Sequence, residues 1–155
     1  MEFIASLWTA APVLKIQLAV LVILLQIVIT IWCYMQMAGA RVKAAKAGTV
    51  SPDIYKAVGD AEPEEIRVYT RLVANQFESP VLFYAIIITG LAVGVTSWIT
   101  VLLGLIYVLF RYIHAKEMAG EHNVLRRRKI FIQSFRVLLL MAVELAVSTV
   151  LMIGA

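Results

Sequence analysis

The sequence predicts an all-α integral membrane protein, a bundle of four transmembrane helices. Of its 155 residues, 62% are hydrophobic and 15% charged, with a mean hydropathy of +0.89. That balance is too apolar for a soluble domain of this size. At roughly 20 residues per crossing, the chain has room for four spans and little else. The third observation is the distribution of charge. Of 14 Lys and Arg, every one except Lys15 falls in two clusters, Arg41–Arg71 and Arg111–Arg136, separated by one long apolar hairpin. Such spacing is what the positive-inside bias produces, so the net charge of +4 reports topology and not a nucleic-acid partner. Both polar loops are accordingly expected in the cytoplasm and both termini on the opposite side.

The first helix is expected over about residues 10–46. The 25 positions from Ile16 to Ala40 carry no charge, enough to span with some tilt. Trp8 and Tyr34 fit interface anchors, and Gln17 and Gln26 fit interhelical hydrogen bonds. Cys33, the single cysteine, sits inside the apolar run as a packing residue and excludes an intrachain disulfide. Arg41, Lys43 and Lys46 mark the exit. Residues 47–62 read as a loop, with turn chemistry at Gly48, Ser51-Pro52-Asp53 and Gly59-Asp60, and one helical turn near Ile54–Val58.

A second helix is expected over about 63–90. Pro63 followed by Glu64 and Glu65 makes a good start, with proline at the first position and acids against the dipole. The helix should run on to Gly90 with a kink at Pro80. Between Glu78 and Arg111 lie 32 uncharged residues, interrupted by Gly90–Ser97. Two crossings need about 40, so polar residues on both flanks are drawn into the membrane helices. Gly90 and Gly94 fit the hairpin turn better than a helix-packing motif, and Trp98 fits an anchor at the outer interface. A third helix over about 97–119 puts Tyr107, Arg111, His114 and Met118 on one face. After a short connection capped by Asn123, a fourth runs over about 124–153 and places Glu144 deep inside.

Three constellations carry chemistry. Arg71, Asn75 and Glu78 stand at i, i+4 and i+7, a cation, an amide and an anion on one helical stripe. That combination suits a zwitterionic ligand, or the charges satisfy one another within the bundle. Arg126-Arg127-Arg128-Lys129 opens the fourth helix, where the macrodipole disfavours cations. Free backbone N–H groups and arginines there make an anion site able to lower a thiol pKa from about 8.5 towards neutrality. The same run also serves topology and anionic headgroups. Arg111 and His114 share a face of the third helix, but no second His, Cys or carboxylate at ligand spacing accompanies them, so no metal site is expected. His122 is a loop residue with no assignment. Glu144 either carries protons or cations in a small exporter or is hydrogen-bonded to Gln26, Ser148 or Thr149. No hydrolase triad, phosphate loop or dinucleotide fingerprint is present.

Together, Arg71-x3-Asn75-x2-Glu78 before Pro80, Arg111-x2-His114 before Gly120, and the arginine cluster opening the fourth helix resemble the MAPEG family, the membrane-associated proteins in eicosanoid and glutathione metabolism. The resemblance covers nearly the whole chain. It implies a homotrimer that binds glutathione between subunits near the cytoplasmic face and presents it, as thiolate, to a lipophilic electrophile or hydroperoxide arriving through membrane lipid. Arg71 would meet a glutathione carboxylate, Asn75 its backbone and Glu78 its ammonium, with His114 and Arg111 contributed by the third helix. Arg127 would hold the thiolate, with Arg126 and Arg128 as neighbours, and Arg41 would reach the carboxylates. One position departs. Met118 stands where similar enzymes with the Arg-x2-His signature carry a tyrosine directed at the sulfur. That departure feeds a second reading, a non-catalytic relative that binds a lipid or partner protein.

Overall fold

The computed structural model describes residues 2–51, 53–54, 62–120 and 124–153, with side chains from residue 11 onward. Expectations for the Trp8 side chain, the turns at Pro52 and Gly59-Asp60, the turn residues beyond Ile54, His122 and the Asn123 cap lie outside the described residues. Helices α1 (Glu2–Lys46), α2 (Glu64–Ala74), α3 (Ser79–Val93), α4 (Trp98–Ala119) and α5 (Val124–Ile153) follow in order. Among the described residues they form four stretches long and apolar enough to cross a membrane, with α2 and α3 together making one of them.

The second span is broken, not kinked. Pro80 has no N–H for the Gln76 carbonyl, and its ring crowds the preceding turn. The chain therefore ends α2 at Ala74 and restarts α3 at Ser79, with Pro80 in the first helical turn where no donor is required. Two tight turns bridge the gap: Gln76 N–H donates to Val73 O at 2.8 Å and Phe77 N–H to Ala74 O at 2.9 Å.

Open carbonyls at a helix end inside a bilayer are costly. Here side chains satisfy them. Gln76 Nε2 donates to Leu72 O at 3.3 Å, and Arg111 Nη2, from α4, donates to Asn75 O at 2.7 Å. Gln76 also accepts from Gln26 Nε2 of α1 at 3.2 Å, the interhelical bond expected of Gln26. Gln17, by contrast, is exposed.

At the opposite end, Gly94 (φ 82°) stops α3 in a Schellman motif, with Val95 N–H to Gly90 O at 3.0 Å and Gly94 N–H to Leu91 O at 3.3 Å. Both glycines thus belong to the hairpin turn. Ser97 caps α4 through a reciprocal pair with Thr100.

The core lies where α4 packs on α1 and α5. Phe83 of α3 stacks on Tyr107 of α4 with centroids 4.7 Å apart, and Tyr107 Oη donates to Ser79 Oγ at 3.1 Å. Tyr107, Arg111, His114 and Met118 are all buried, so their shared face is the inward one. Cys33 is fully buried in the same hydrophobic core as Tyr107 and Met118, as a packing residue.

Candidate functional site

A cavity of about 520 Å³ opens where the α2–α3 break, the last turns of α4 and the first turns of α5 meet. That is a usual size for a small-molecule site. Arg71, Asn75 and Glu78 line one wall, His114 and Met118 the second, and Arg127, Arg128 and Phe131 the third. The three stripe residues do not share a helical face as the sequence predicts. Asn75 closes α2, and Glu78 precedes α3 with φ −92° and ψ −95°. The break turns both towards the cavity that Arg71 reaches from the helix. Arg71 and Arg127 also line an adjoining cavity of about 780 Å³ beside Glu64 and Glu65, so these two cations stand between the spaces.

His114 Nδ1 lies 3.3 Å from the Arg127 carbonyl. A hydrogen bond there places the proton on Nδ1 and leaves Nε2 as an acceptor, buried and without a partner among the described residues. The His114 ring also tilts against Phe131, with centroids 5.7 Å apart. Asn75 Nδ2 donates to Met118 Sδ at 3.5 Å, so the thioether accepts where a hydroxyl could have donated. Ala74, Val124 and Phe131 complete the lining and were not singled out from sequence. The available signal was helical spacing, since Phe131 sits one turn beyond Arg127 on the same face.

Three of the expected residues are not brought to this wall within one chain. Arg111 is fully buried behind Asn75, and its Nε and Nη1 have no hydrogen-bond partner among the described residues. It acts on the site through the Asn75 carbonyl. Arg126 turns to the other side of α4, where its Nε meets Glu117 Oε1 at 3.1 Å. Arg41 is engaged by Glu62 at 2.6 Å and by Thr70, which itself donates to Glu62. Of the arginines at 126–128, therefore, Arg127 (half-buried) and Arg128 (exposed) face the cavity.

Glu144 accepts from Ser97 Oγ at 2.5 Å, Thr100 Oγ1 at 2.8 Å and Ser148 Oγ at 3.2 Å. Of the partners expected for it, Ser148 is found. Gln26 pairs with Gln76 instead, and Thr149 donates to its own helix at Leu145 O. The carboxylate ties the α3–α4 turn to α5. Among the described residues, no group of three His, Cys, Asp or Glu is arranged to hold a metal ion.

Four apolar spans, with a cavity at one end lined by arginines, an asparagine, a glutamate and a histidine, point to an integral membrane protein. The chain belongs to the MAPEG family, whose model matches residues 17–147. Membership points to a membrane function related to glutathione or eicosanoid metabolism. No curated protein and no solved structure matches the chain with significant similarity.

Proposed function

We propose that the protein binds glutathione in the 520 Å³ cavity and activates it as a thiolate for attack on a lipophilic electrophile or hydroperoxide. One observation carries the reading: a cation from the last turn of α2 and an amide and a carboxylate from the α2–α3 break face two arginines from the start of α5 across a single cavity. Glutathione presents two carboxylates, an ammonium and peptide groups. Arg71 pairs with a carboxylate, Glu78 with the ammonium, and Asn75 with the peptide backbone through its side-chain amide. Arg127 stabilises negative charge on the sulfur, helped by the N-terminal end of α5. Arg128 is a second cation on the same wall. Arg111 holds Asn75 in place from behind, and Met118 leaves the arginine as the route to the thiolate. The protein's contribution is to bring a water-soluble thiol and a membrane-soluble acceptor together. The assembly in this proposal is a homotrimer in which a neighbouring copy closes the cavity. The polar loops face the cytoplasm, and both termini lie on the other side.

The test is equilibrium binding of glutathione to purified protein, read by thiolate ultraviolet absorbance. Wild type should give the thiolate signal. Arg127→Ala should bind with at least about tenfold less thiolate, the loss of ~1.4 kcal/mol or more of anion stabilisation. Glu78→Gln should weaken binding while the bound fraction keeps its signal. Binding without any thiolate would favour the non-catalytic reading that Met118 suggests. A chain that ignores glutathione would refute the assignment.

A further inference from the structure

A second cavity, of about 350 Å³, lies between α1 and α4 on the outer face of the bundle, away from the glutathione site. Val28, Ile29 and Trp32 of α1 and Tyr112 and Lys116 of α4 line it. Its chemistry is graded along the helix axes. On α1, which ends at Lys46, Trp32 is one turn nearer that end than Val28. On α4, which ends at Ala119, Lys116 is one turn nearer the same polar end than Tyr112. On each helix the deeper residue is the less polar one: aliphatic Val28 below the Trp32 indole on α1, and the Tyr112 ring below the exposed Lys116 on α4. A neighbouring space of about 440 Å³ shares Tyr112 and Lys116 and adds Glu117 and Arg126. There Glu117 Oε1 is taken by Arg126 at 3.1 Å, while Lys116 stands beside the pair on the same lining.

We propose that this cleft binds an anionic phospholipid of the surrounding bilayer, with part of one acyl chain between α1 and α4 and the headgroup phosphate against Lys116. The grading decides the ligand class. A soluble anion would have no use for the aliphatic end, and an uncharged lipid none for the cation. The axis from Val28 to Lys116 runs along the bundle, which is how a lipid lies in a membrane. Long basic side chains near helix ends reach towards headgroups, and aromatic rings sit at that level. The inference is independent of glutathione chemistry, since Lys116 is not part of the first cavity.

Trp32 supplies the reporter. In the full chain carrying Trp8→Phe and Trp98→Phe, reconstituted in phosphatidylcholine vesicles, tryptophan emission is quenched by lipids brominated on the acyl chain. Brominated phosphatidylglycerol should quench at about fivefold lower mole fraction than brominated phosphatidylcholine, the factor corresponding to ~1 kcal/mol per basic residue near an anionic surface. Lys116→Gln should remove that preference, Lys116→Arg should keep it, and Lys129→Gln on α5 should leave it unchanged. Equal quenching by the two headgroups overturns the proposal. So does stronger quenching by a brominated free fatty acid, which would make that the occupant. Absence of quenching by any brominated lipid means that a second copy of the chain covers the cleft, and it too overturns the assignment.

Discussion

Met118 shows how one side chain sets what the cavity can do. Its sulfur accepts the Asn75 amide and donates nothing, so charge on a bound thiol falls to Arg127 and the end of α5. Met118→Tyr should add a hydroxyl donor beside the sulfur and raise the thiolate fraction of bound glutathione at neutral pH, measured by the same absorbance. An unchanged fraction would mean that the residue at 118 does not face the thiol. Glu144 gives the opposite case, a membrane-embedded carboxylate with three hydroxyl donors. Glu144→Gln should lower thermal stability by about 1–3 kcal/mol, the range for disturbing hydrogen bonds to a charged group. It should leave glutathione affinity within a factor of two or so, because the residue stands at the other end of the bundle. A transport reading demands the reverse.

Among the elements, the broken α2–α3 span has its open carbonyls met by polar side chains at the break and from α4. Gln76→Leu would leave Leu72 O and the Gln26 amide unpartnered and should cost about 1–3 kcal/mol. In a double-mutant cycle, Gln26→Leu added to it should cost less than the two single changes summed, because one bond is shared. Additive costs would mean that the pair is not coupled. The α1–α4 contact depends on a different device. A Cβ on Gly104 would come within 2.9 Å of Val22 Cγ1, and the stiff, buried valine has little room to yield. Gly104→Ala should therefore destabilise the bundle by about 1–3 kcal/mol, read by thermal unfolding in detergent.

At the scale of the whole molecule, the proposed topology and assembly are open to direct measurement. In a Cys33→Ala background, single cysteines at Thr49 and Gly120 should be labelled by an impermeant reagent from one side of the membrane, and one at Val95 from the other. Native mass measurement in detergent should give three copies per particle, and a monomer that still binds glutathione would remove the subunit-bridging part of the proposal. Four apolar spans could be recognised in the sequence because each crossing needs a long stretch of high mean hydropathy, even where a few charges fall inside it. The end of α3 and the start of α4 were equally open to reading, since Gly94 and Ser97 are local devices that work through neighbours a few positions away. The α2–α3 break was harder to read. Pro80 announces a disturbance, but whether the chain bends or stops depends on which groups can satisfy the freed carbonyls. Those groups, Gln76 and Arg111, act across the turn and from another helix.

The sequence by itself determined the membrane class, the positions of the spans and most of the residues around the cavity, because hydrophobic run length and helical spacing are local properties. It also grouped Arg71, Asn75 and Glu78, which line one cavity, although on a helical stripe that the chain does not form. Tertiary structure decided which charges face the cavity and which are taken elsewhere. Arg126 goes to Glu117, Arg41 to Glu62, and Arg111 behind Asn75, while Arg127 and Arg128 remain on the wall. A long basic side chain follows the nearest carboxylate or carbonyl that needs it, and packing sets where those acceptors lie.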